Sequence, residues 1–300
     1  MSDKLRAYLY LHFCVFVWGF TAIFGKLISL KALPLVWWRV VLCCAALWAL
    51  IPRAQLRSVS RRMALRLFGI GVLVGLHWLC FYGAIKLSNA SVGVVCMATA
   101  SFFAALLEPV VFRRRLKWYE LSLGLLVIPG ILLIVGAINW DMRWGFVTGI
   151  AAALLAAVFT ALNKQVLDGP DIPPPFAMTL IELAGGLALC SLILPVYLIF
   201  YPETPIAIRG ADWIWIPVLA FVCTLVPYYL TLLAMRHISA FATNLSVNLE
   251  PVYGVVLAAL IFSEHREMNV SFYIGVAVII AAVFGHPLLK YYVERRAKPV

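Results

Sequence analysis

Long apolar runs separated by short polar clusters fill the sequence from end to end. An α-helix needs about 20 apolar residues to cross the hydrocarbon core of a bilayer, and the runs have this length. The weak, regular alternation of apolar and polar positions that marks an outer-membrane β-barrel is absent. The pattern predicts ten membrane-spanning helices, over residues 8–28, 34–51, 65–86, 90–112, 119–138, 144–166, 173–199, 212–235, 239–262 and 270–292.

Two connections decide how the first spans are drawn. Only Lys86-Leu-Ser-Asn89 separates the third span from the fourth. One helix from 65 to 112 is too long for a single crossing, so we expect two spans joined by a tight turn. The first run starts at Tyr8 with only Lys4 and Arg6 before it and has no small-residue cleavage site, so we expect a retained helix rather than a signal peptide.

The composition agrees with a polytopic membrane protein. The chain is 64% hydrophobic and 12% charged, whereas soluble domains are about 45–50% apolar. A net charge of +11 would indicate nucleic acid as a partner of a soluble protein, but here the basic residues lie mostly between the spans. Their positions therefore indicate how the spans are oriented in the membrane, and no nucleic-acid partner is expected.

Lysine and arginine concentrate in the connections on one side of the predicted bundle, chiefly in segments 53–66, 113–117 and 290–298. Cytoplasmic connections are enriched in these residues. Both termini are therefore predicted to be cytoplasmic, in a multi-pass protein of the cytoplasmic (inner) membrane.

A weak internal repeat divides the ten spans into two sets of five. Phe20-Thr21-Ala22 in span 1 matches Phe159-Thr160-Ala161 in span 6, and Ala84-Ile-Lys86 matches Ala234-Met-Arg236 at an offset of 150. An odd number of spans makes the second set enter the membrane in the opposite direction, which is a design of secondary transporters. The predicted fold is an all-α integral membrane protein of two inverted five-helix repeats, residues 1–140 and 141–300.

The order of several short motifs resembles the drug/metabolite transporter superfamily, in particular its EamA-type permeases. The motifs are Trp18-Gly19, Arg39 in span 2, the turns that begin Ala-x-Lys/Arg and continue to Ser88 and Ser239 before spans 4 and 9, and Glu250-Pro251 followed by Glu264. The resemblance covers nearly the whole chain. It implies a transporter that exports a small metabolite or amphipathic compound.

One departure from the family pattern falls in span 4. The proline usual in the middle of this span is replaced by the Thr99-Ala100-Ser101 region, and Pro109 lies nearer the inner end. The helix break that the resemblance implies there therefore lacks its usual cause.

The polar stretch Asn244–Pro251 interrupts the apolar run from Ser239 to Phe262. A carboxylate at the bilayer centre costs roughly 2.5–3.5 kcal/mol on insertion scales, so such residues usually face the interior of the bundle. Glu250 is suited to accept a coupling proton or to meet a cationic group. Capping of the backbone opened by Pro251 is an equal alternative.

Asn244 and Asn248 are one helical turn apart and share a face in span 9. They are candidates for a polar strip that contacts the substrate. Hydrogen bonds between helices are the alternative for each.

Arg39 and Glu182 are two further charges within predicted spans. Arg39 is suited to bind a carboxylate or phosphate bidentately, although snorkelling to the outer interface beside Trp37 and Trp38 is an equal alternative. Glu182 in span 7 is too short to snorkel. Arg39, Glu182 and Glu250 together suit recognition of a zwitterion, or they pair with one another and leave the cavity neutral.

Aromatic residues add candidate stacking surface for a substrate. His77 lies near the middle of span 3, and Trp78 and Tyr82 share a face. Tyr228 in span 8 is the matching aromatic residue of the second repeat, and Trp18 is at mid-depth in span 1. Structural hydrogen bonding of His77 and simple packing of Trp18 are the alternatives.

Other residue patterns are assigned to packing and predict no cofactor or metal. The glycine pairs Gly71-x-x-x-Gly75 and Gly145-x-x-x-Gly149 permit close helix approach. All cysteines lie in apolar runs without a Cys-x-x-Cys pair, so neither a disulfide framework nor a metal site is indicated. They are Cys14, Cys43, Cys44, Cys80, Cys96, Cys190 and Cys223.

The sequence favours a secondary transporter over an enzyme. The chain lacks the Gly-x-x-x-x-Gly-Lys-Ser/Thr phosphate-binding loop, His-Glu-x-x-His and Gly-x-Ser-x-Gly. The expected substrate is a small amphipathic molecule such as an amino acid, exported through a central cavity by alternating access, with protons as a candidate coupling ion. A carrier or flippase for a lipid-linked substrate is the alternative.

Overall fold

Helices account for all regular structure in the part of the chain that the computed structural model describes, which is residues 2–113, 122, 125, 129–130, 133, 140–247, 249–263, 269–278 and 280–281. A 3-10 turn, Trp140–Met142, precedes α8, and a π-helical turn, Phe221–Leu225, joins α10 to α11. The helices are α1 (Asp3–Gly19), α2 (Thr21–Leu27), α3 (Ala32–Leu50), α4 (Arg53–Arg57), α5 (Arg61–Leu87), α6 (Ala90–Met97), α7 (Ala100–Val111), α8 (Arg143–Leu167), α9 (Pro175–Phe200), α10 (Asp212–Ala220), α11 (Val226–Met235), α12 (Ala240–Val247) and α13 (Glu250–Phe262).

Seven helical segments of the described residues are long and apolar enough to cross a membrane, when helices that follow directly are joined. They coincide with predicted spans 1 to 4 and 6 to 8. The ninth predicted span consists of α12 and α13. Most of the fifth span lies outside the described residues, and the tenth is described only as helix at 270–278 and at 280–281. The total of ten spans therefore stays a prediction.

Spans 4 and 9 are broken at matching places. Helix α6 begins at Ala90 and α12 at Ala240, and after each break α7 begins at Ala100 and α13 at Glu250. Both pairs of starting points are 150 residues apart, the offset found in the sequence. Across the pair, α13 packs on α6 and α12 packs on α7, so the two breaks lie side by side inside the bundle.

The break between α6 and α7 occurs without a proline. The backbone N–H groups of Ala98 and Thr99 donate to carbonyls three residues back, at 3.1 Å each. The Thr99 hydroxyl donates to the Cys96 carbonyl at 2.8 Å, which satisfies an acceptor that continued α-helix would use. The hydrogen bond of the Thr99 side chain thus supports the helix break at a place where the usual proline is absent.

Glycines bring α5 and α9 into backbone contact. A Cβ at Gly71 would lie 1.8 Å from the Glu182 carbonyl oxygen, and one at Gly185 would lie 2.1 Å from the Phe68 carbonyl oxygen. Only glycine is compatible with so close a crossing. The crossing fixes the backbone of Glu182 against α5 and confirms that Gly71-x-x-x-Gly75 serves packing.

The second glycine pair and the cysteines also serve packing. A Cβ at Gly145 would lie 2.6 Å from the Ser88 Cβ, and one at Gly149 would lie 2.7 Å from the Cys96 Cβ. These contacts seat α8 against the turn between α5 and α6. All seven cysteines are free, and all but Cys80 are buried.

One end of the bundle, the Asp212 end, is held by Ser29, Lys86 and Asp212. The buried Asp212 carboxylate accepts from the Ser29 backbone N–H at 3.0 Å and from the Ser29 hydroxyl at 2.6 Å. Lys86 Nζ donates to the Ile28 carbonyl at 2.6 Å. These bonds tie α2, α5 and α10 together.

We expect Asp212→Ala to lower the stability of the folded protein by about 1.5–3 kcal/mol, because hydrogen bonds to a charged group contribute that much. Thermal unfolding of the purified protein in detergent measures the change. The control is Asp171→Ala, at an exposed position, where surface substitutions change stability by about 0.5 kcal/mol or less. Equal effects of the two substitutions would show that Asp212 does not hold this end.

Candidate functional site

A cavity lies inside the helix bundle. It encloses about 850 Å³ of space not filled by protein atoms, including its opening. Aromatic rings, hydroxyls and amides form most of its wall. Within the described lining, Arg39 contributes a guanidinium and Glu250 a carboxyl group. The lining residues are Trp18, Thr21, Arg39, His77, Trp78, Phe81, Tyr82, Met97, Ala156, Phe159, Thr160, Asn163, Thr224, Tyr228, Thr231, Leu232, Met235, Thr243, Asn244, Val247 and Glu250.

Arg39 on α3 is held inside the bundle rather than at its outer interface. Its residue surface is 3% exposed, so the side chain does not snorkel. Its Nε donates to the Thr224 hydroxyl, and its Nη1 donates to the Tyr82 hydroxyl at 3.0 Å. The guanidinium carbon also lies 4.2 Å from the centroid of the Trp78 ring, a cation–π distance. These contacts orient a planar cation on the cavity wall.

The π-helical turn explains why Thr224 can meet Arg39. The Thr224 hydroxyl donates to the Leu219 carbonyl, five residues back, at 2.6 Å, and so has its oxygen free to accept from the guanidinium. Cys43 Sγ donates to the Ala220 carbonyl at 3.0 Å, which gives a second partner to this irregular backbone. Such π-bulges are frequent at functional sites.

Glu250 is the first residue of α13 and lies directly after the break in span 9. Its residue surface is 5% exposed. Pro251 follows at the start of the helix, where the missing N–H removes no helical hydrogen bond. The N-cap residue, Leu249, makes no side-chain capping bond. Glu250 and Pro251 are therefore compatible with regular helix geometry at this point.

The Glu250 carboxylate accepts no hydrogen bond and forms no ion pair with other described residues within the usual distances. Arg39 is the charged side chain that acts on it electrostatically. The cavity thus presents a carboxylate and a guanidinium that are not joined to each other by a salt bridge. Each retains bonding capacity toward a molecule in the cavity.

His77 makes a structural hydrogen bond and also lines the cavity. Its Nδ1 lies 2.8 Å from the Ala152 carbonyl oxygen, and since a carbonyl only accepts, Nδ1 carries the proton. The ring stacks on Phe81 with centroids 6.3 Å apart and meets Phe159 edge-on at 5.4 Å. The bond anticipated as the structural alternative is present, and the imidazole also lines the cavity.

Glu182 on α9 is completely buried at 0% exposure and lies behind the cavity wall rather than on it. Its Oε2 accepts from Asn163 Nδ2 at 3.2 Å and from the Tyr228 hydroxyl. Both partners line the cavity. The carboxyl is thus separated from the cavity by one layer of side chains.

The remaining predicted residues fall on the same cavity, except for one. Trp18, Trp78, Tyr82 and Tyr228 contribute aromatic surface, and Trp78 meets Tyr228 edge-on at 6.2 Å between centroids. Asn244 lines the wall, and its Nδ2 donates within its own helix to the Ala240 carbonyl at 3.0 Å. Asn248 lies outside the described residues.

Several lining residues were not singled out from the sequence. Thr160 and Asn163 are three residues apart and share a face of α8 in a mostly apolar span, a signal that the sequence did contain. Thr224, by contrast, reaches the cavity because of a π-helical turn that no sequence pattern announces. No cluster of three His, Cys, Asp or Glu placed to hold a metal occurs within the described ranges.

The fold and the cavity define a class: an all-helical, multi-pass membrane protein with an amphipathic chamber inside the bundle. The sequence model of the EamA-like transporter family matches the chain twice, over residues 5–136 and 143–286. The chain belongs to the EamA-like transporter family and is a membrane transporter of the drug/metabolite transporter superfamily. The resemblance seen in the short motifs is thereby confirmed.

Solved structures give the same fold, with 29 matching chains. One of them, described as a crystal structure of protein, superimposes with a TM-score of 0.69 at 17% sequence identity, over 95% of this chain and 98% of that chain. At this identity the similarity shows the fold alone. A comparison with curated proteins finds no match.

Proposed function

We propose that the protein is a secondary active transporter that exports a small zwitterionic metabolite, of the amino-acid type, through this cavity by alternating access. The observation that carries the proposal is that Arg39 and Glu250 line the same aromatic chamber without forming a salt bridge with each other. An amino acid presents a carboxylate and an ammonium group on an apolar or amphipathic body. The chamber offers a complement to each of these parts.

Arg39 is the proposed partner of the substrate carboxylate. A guanidinium has five N–H donors, of which Thr224 and Tyr82 use two directions, so further donors are available to a ligand. Arginine binds carboxylates bidentately and with charge-assisted bonds. Since Arg39 is already oriented by the wall, little side-chain freedom is lost on binding.

Glu250 is the proposed partner of the substrate ammonium. Its carboxylate has no protein bond to give up among the described residues, and it lies at the start of α13 beside the helix break. Apolar wall residues from both halves of the chain, Met97, Phe159, Leu232 and Val247, suit the side chain of the substrate. The specificity then rests on two opposite charges and a mostly apolar surface.

The proposed mechanism uses two oppositely oriented repeats of five helices, residues 1–140 and 141–300. The 150-residue offset between the broken helices supports this division, and so does the double match of the family sequence model. With the N-terminus in the cytoplasm, the Asp212 end faces outward. Transport then alternates between opening at this end and opening at the other.

A thermal-shift screen of the purified protein tests the substrate class. We expect L-leucine or L-phenylalanine to stabilise the protein, because a ligand at 100 times its Kd adds about 2.7 kcal/mol to the stability of the native state. The amide of the same amino acid lacks the carboxylate, and the N-acetyl derivative lacks the ammonium, so each derivative should lose the shift. Stabilisation by nucleosides or organic cations alone would reject the amino-acid class.

Glu250→Gln tests the proposed contact with the ammonium. We expect the variant to fold like the wild type and to lose most of the amino-acid shift, because the charge partner of the ammonium is gone. Glu203→Gln is the matched control, since the Glu203 side chain is 69% exposed and lies outside the cavity lining. An unchanged shift in Glu250→Gln would remove Glu250 from the binding site.

A further inference from the structure

Two buried oxygen atoms, one on the cavity wall and one behind it, lack a hydrogen-bond donor. They are Glu182 Oε1 and Asn163 Oδ1, and neither has a partner among the residues that the structure describes. The large majority of buried side-chain polar atoms in native proteins have a hydrogen-bond partner. Both atoms are acceptors on side chains that already touch, through the 3.2 Å bond from Asn163 Nδ2 to Glu182 Oε2. One missing donor between these two side chains would therefore explain why both oxygen atoms are unpaired.

The bonding of the Glu182 carboxyl is also strongly asymmetric. Oε2 accepts two donors, Asn163 Nδ2 and the Tyr228 hydroxyl, while Oε1 accepts none within the described structure. An ionised carboxylate is an acceptor at both oxygens, whereas a protonated one has a carbonyl oxygen that accepts and a hydroxyl that donates. Two donors on one oxygen and none on the other fit the protonated form better than the ionised form.

No cation compensates Glu182 in the described part of the bundle. Of the charged and titratable groups on the helices packed against α9, Arg39 on α3 bonds to Thr224 and Tyr82, and His77 on α5 donates to Ala152. Tyr228 on α11 is neutral and donates to Oε2. The arginines of α4 and of the first turns of α5 lie in exposed positions, and the one nearest to Glu182 along α5, Arg66, donates to Gln165 Oε1 at 2.5 Å. A buried charge without a partner is costly by several kcal/mol, so a neutral carboxyl fits this setting.

We propose that Glu182 carries a proton on Oε1 and is the proton-binding site of the transport cycle. In this arrangement the Oε1 hydroxyl donates to Asn163 Oδ1, and Oε2 accepts from Asn163 Nδ2 and from Tyr228. One proton thus supplies the donor that both lone oxygens lack and completes a two-bond pair between an acid and an amide. The assignment of the proton to transport rests on the proposed function, but the protonated carboxyl does not.

The position of Glu182 suits exchange of this proton with the cavity. Asn163 and Tyr228 are its partners and are both lining residues, so a substrate that displaces either one changes the bonding of the carboxyl. On release the Oε1–H bond breaks, the proton passes to water in the cavity, and the carboxylate keeps its two donors on Oε2. Substrate charge would then be met at Glu250 and the proton at Glu182, two acidic groups with separate tasks.

Infrared spectroscopy of the purified protein at neutral pH tests the proposal without a substrate. A protonated carboxyl has a carbonyl-stretch band that carboxylates lack, and exposed acidic residues are ionised at this pH. We expect the wild-type protein to show such a band, Glu182→Gln to lose it and Glu250→Gln to retain it. The glutamine can make the same two bonds to Asn163, so the variant is expected to fold.

Tyr228→Phe is a second, independent test of the protonated Glu182 carboxyl. Removal of its hydroxyl takes one donor from Oε2 while leaving the acid in place, so the band should persist and shift to higher frequency. A wild-type spectrum without the band, or a band that Glu250→Gln removes and Glu182→Gln retains, would overturn the proposal. The amino-acid screen can fail while this result stands, so a failure of the substrate assignment is distinguishable from a failure of the proton site.

Discussion

Gly71→Ala is expected to prevent the protein from reaching its folded state. The new Cβ would lie 1.8 Å from the Glu182 carbonyl oxygen and 2.5 Å from its carbonyl carbon. Overpacking costs about 1–3 kcal/mol where side chains can adjust, but here the obstacle is the backbone of a crossing helix. We expect loss of the monodisperse peak in size-exclusion chromatography of the detergent-solubilised protein, or a large fall in its melting temperature.

Gly69→Ala is the matched control on the same helix. A Cβ at Gly69 would have no other atom within 4 Å, and alanine is favoured over glycine in a helix by about 1 kcal/mol. This variant should therefore be as stable as the wild type or more so. If Gly71→Ala behaved like Gly69→Ala, α5 and α9 would not cross in the described manner, and the placement of Glu182 would be wrong with it.

Hydropathy predicted most of the fold because the bilayer constrains helix length more strongly than any local propensity does. The tight turn expected at Lys86–Asn89 is present, since α5 ends at Leu87 and α6 begins at Ala90. What the sequence did not predict is how a span is interrupted. The break near Thr99 is accompanied by a local hydroxyl bond, and the π-helical turn before Val226 by contacts with α3, and hydropathy reports neither.

The candidate site was predictable to the extent that polar residues are costly in a membrane. That argument selected Arg39, Glu182 and Glu250, but it gave no information on which neighbours each would meet. The depth of Arg39 in the sequence left snorkelling open, and only the packing of Trp78 and Tyr82 against it shows an inward side chain. Glu182 was grouped with the substrate contacts because sequence position does not distinguish the cavity wall from the layer behind it.

Arg39→Lys is expected to weaken recognition of the substrate carboxylate strongly while keeping the positive charge. Lysine cannot reproduce the planar fork or the stacking on Trp78, so a bidentate contact becomes at most a single one. A hydrogen bond to a charged group contributes about 1.5–3 kcal/mol, which corresponds to roughly 10- to 100-fold in affinity. Titration of the amino acid found in the thermal-shift screen, against both proteins, measures this change.

The comparison that isolates the carboxylate uses the amide derivative of that amino acid. Arg39→Lys should weaken the free acid strongly and leave the already weak binding of the amide unchanged, because the lost contact is made only by the acid. Arg53→Lys is the control, since Arg53 also lies over a tryptophan, 4.6 Å from the Trp48 ring centroid, but outside the cavity lining. Equal weakening of acid and amide would assign Arg39 to the architecture of the wall, and the substrate carboxylate would need another partner.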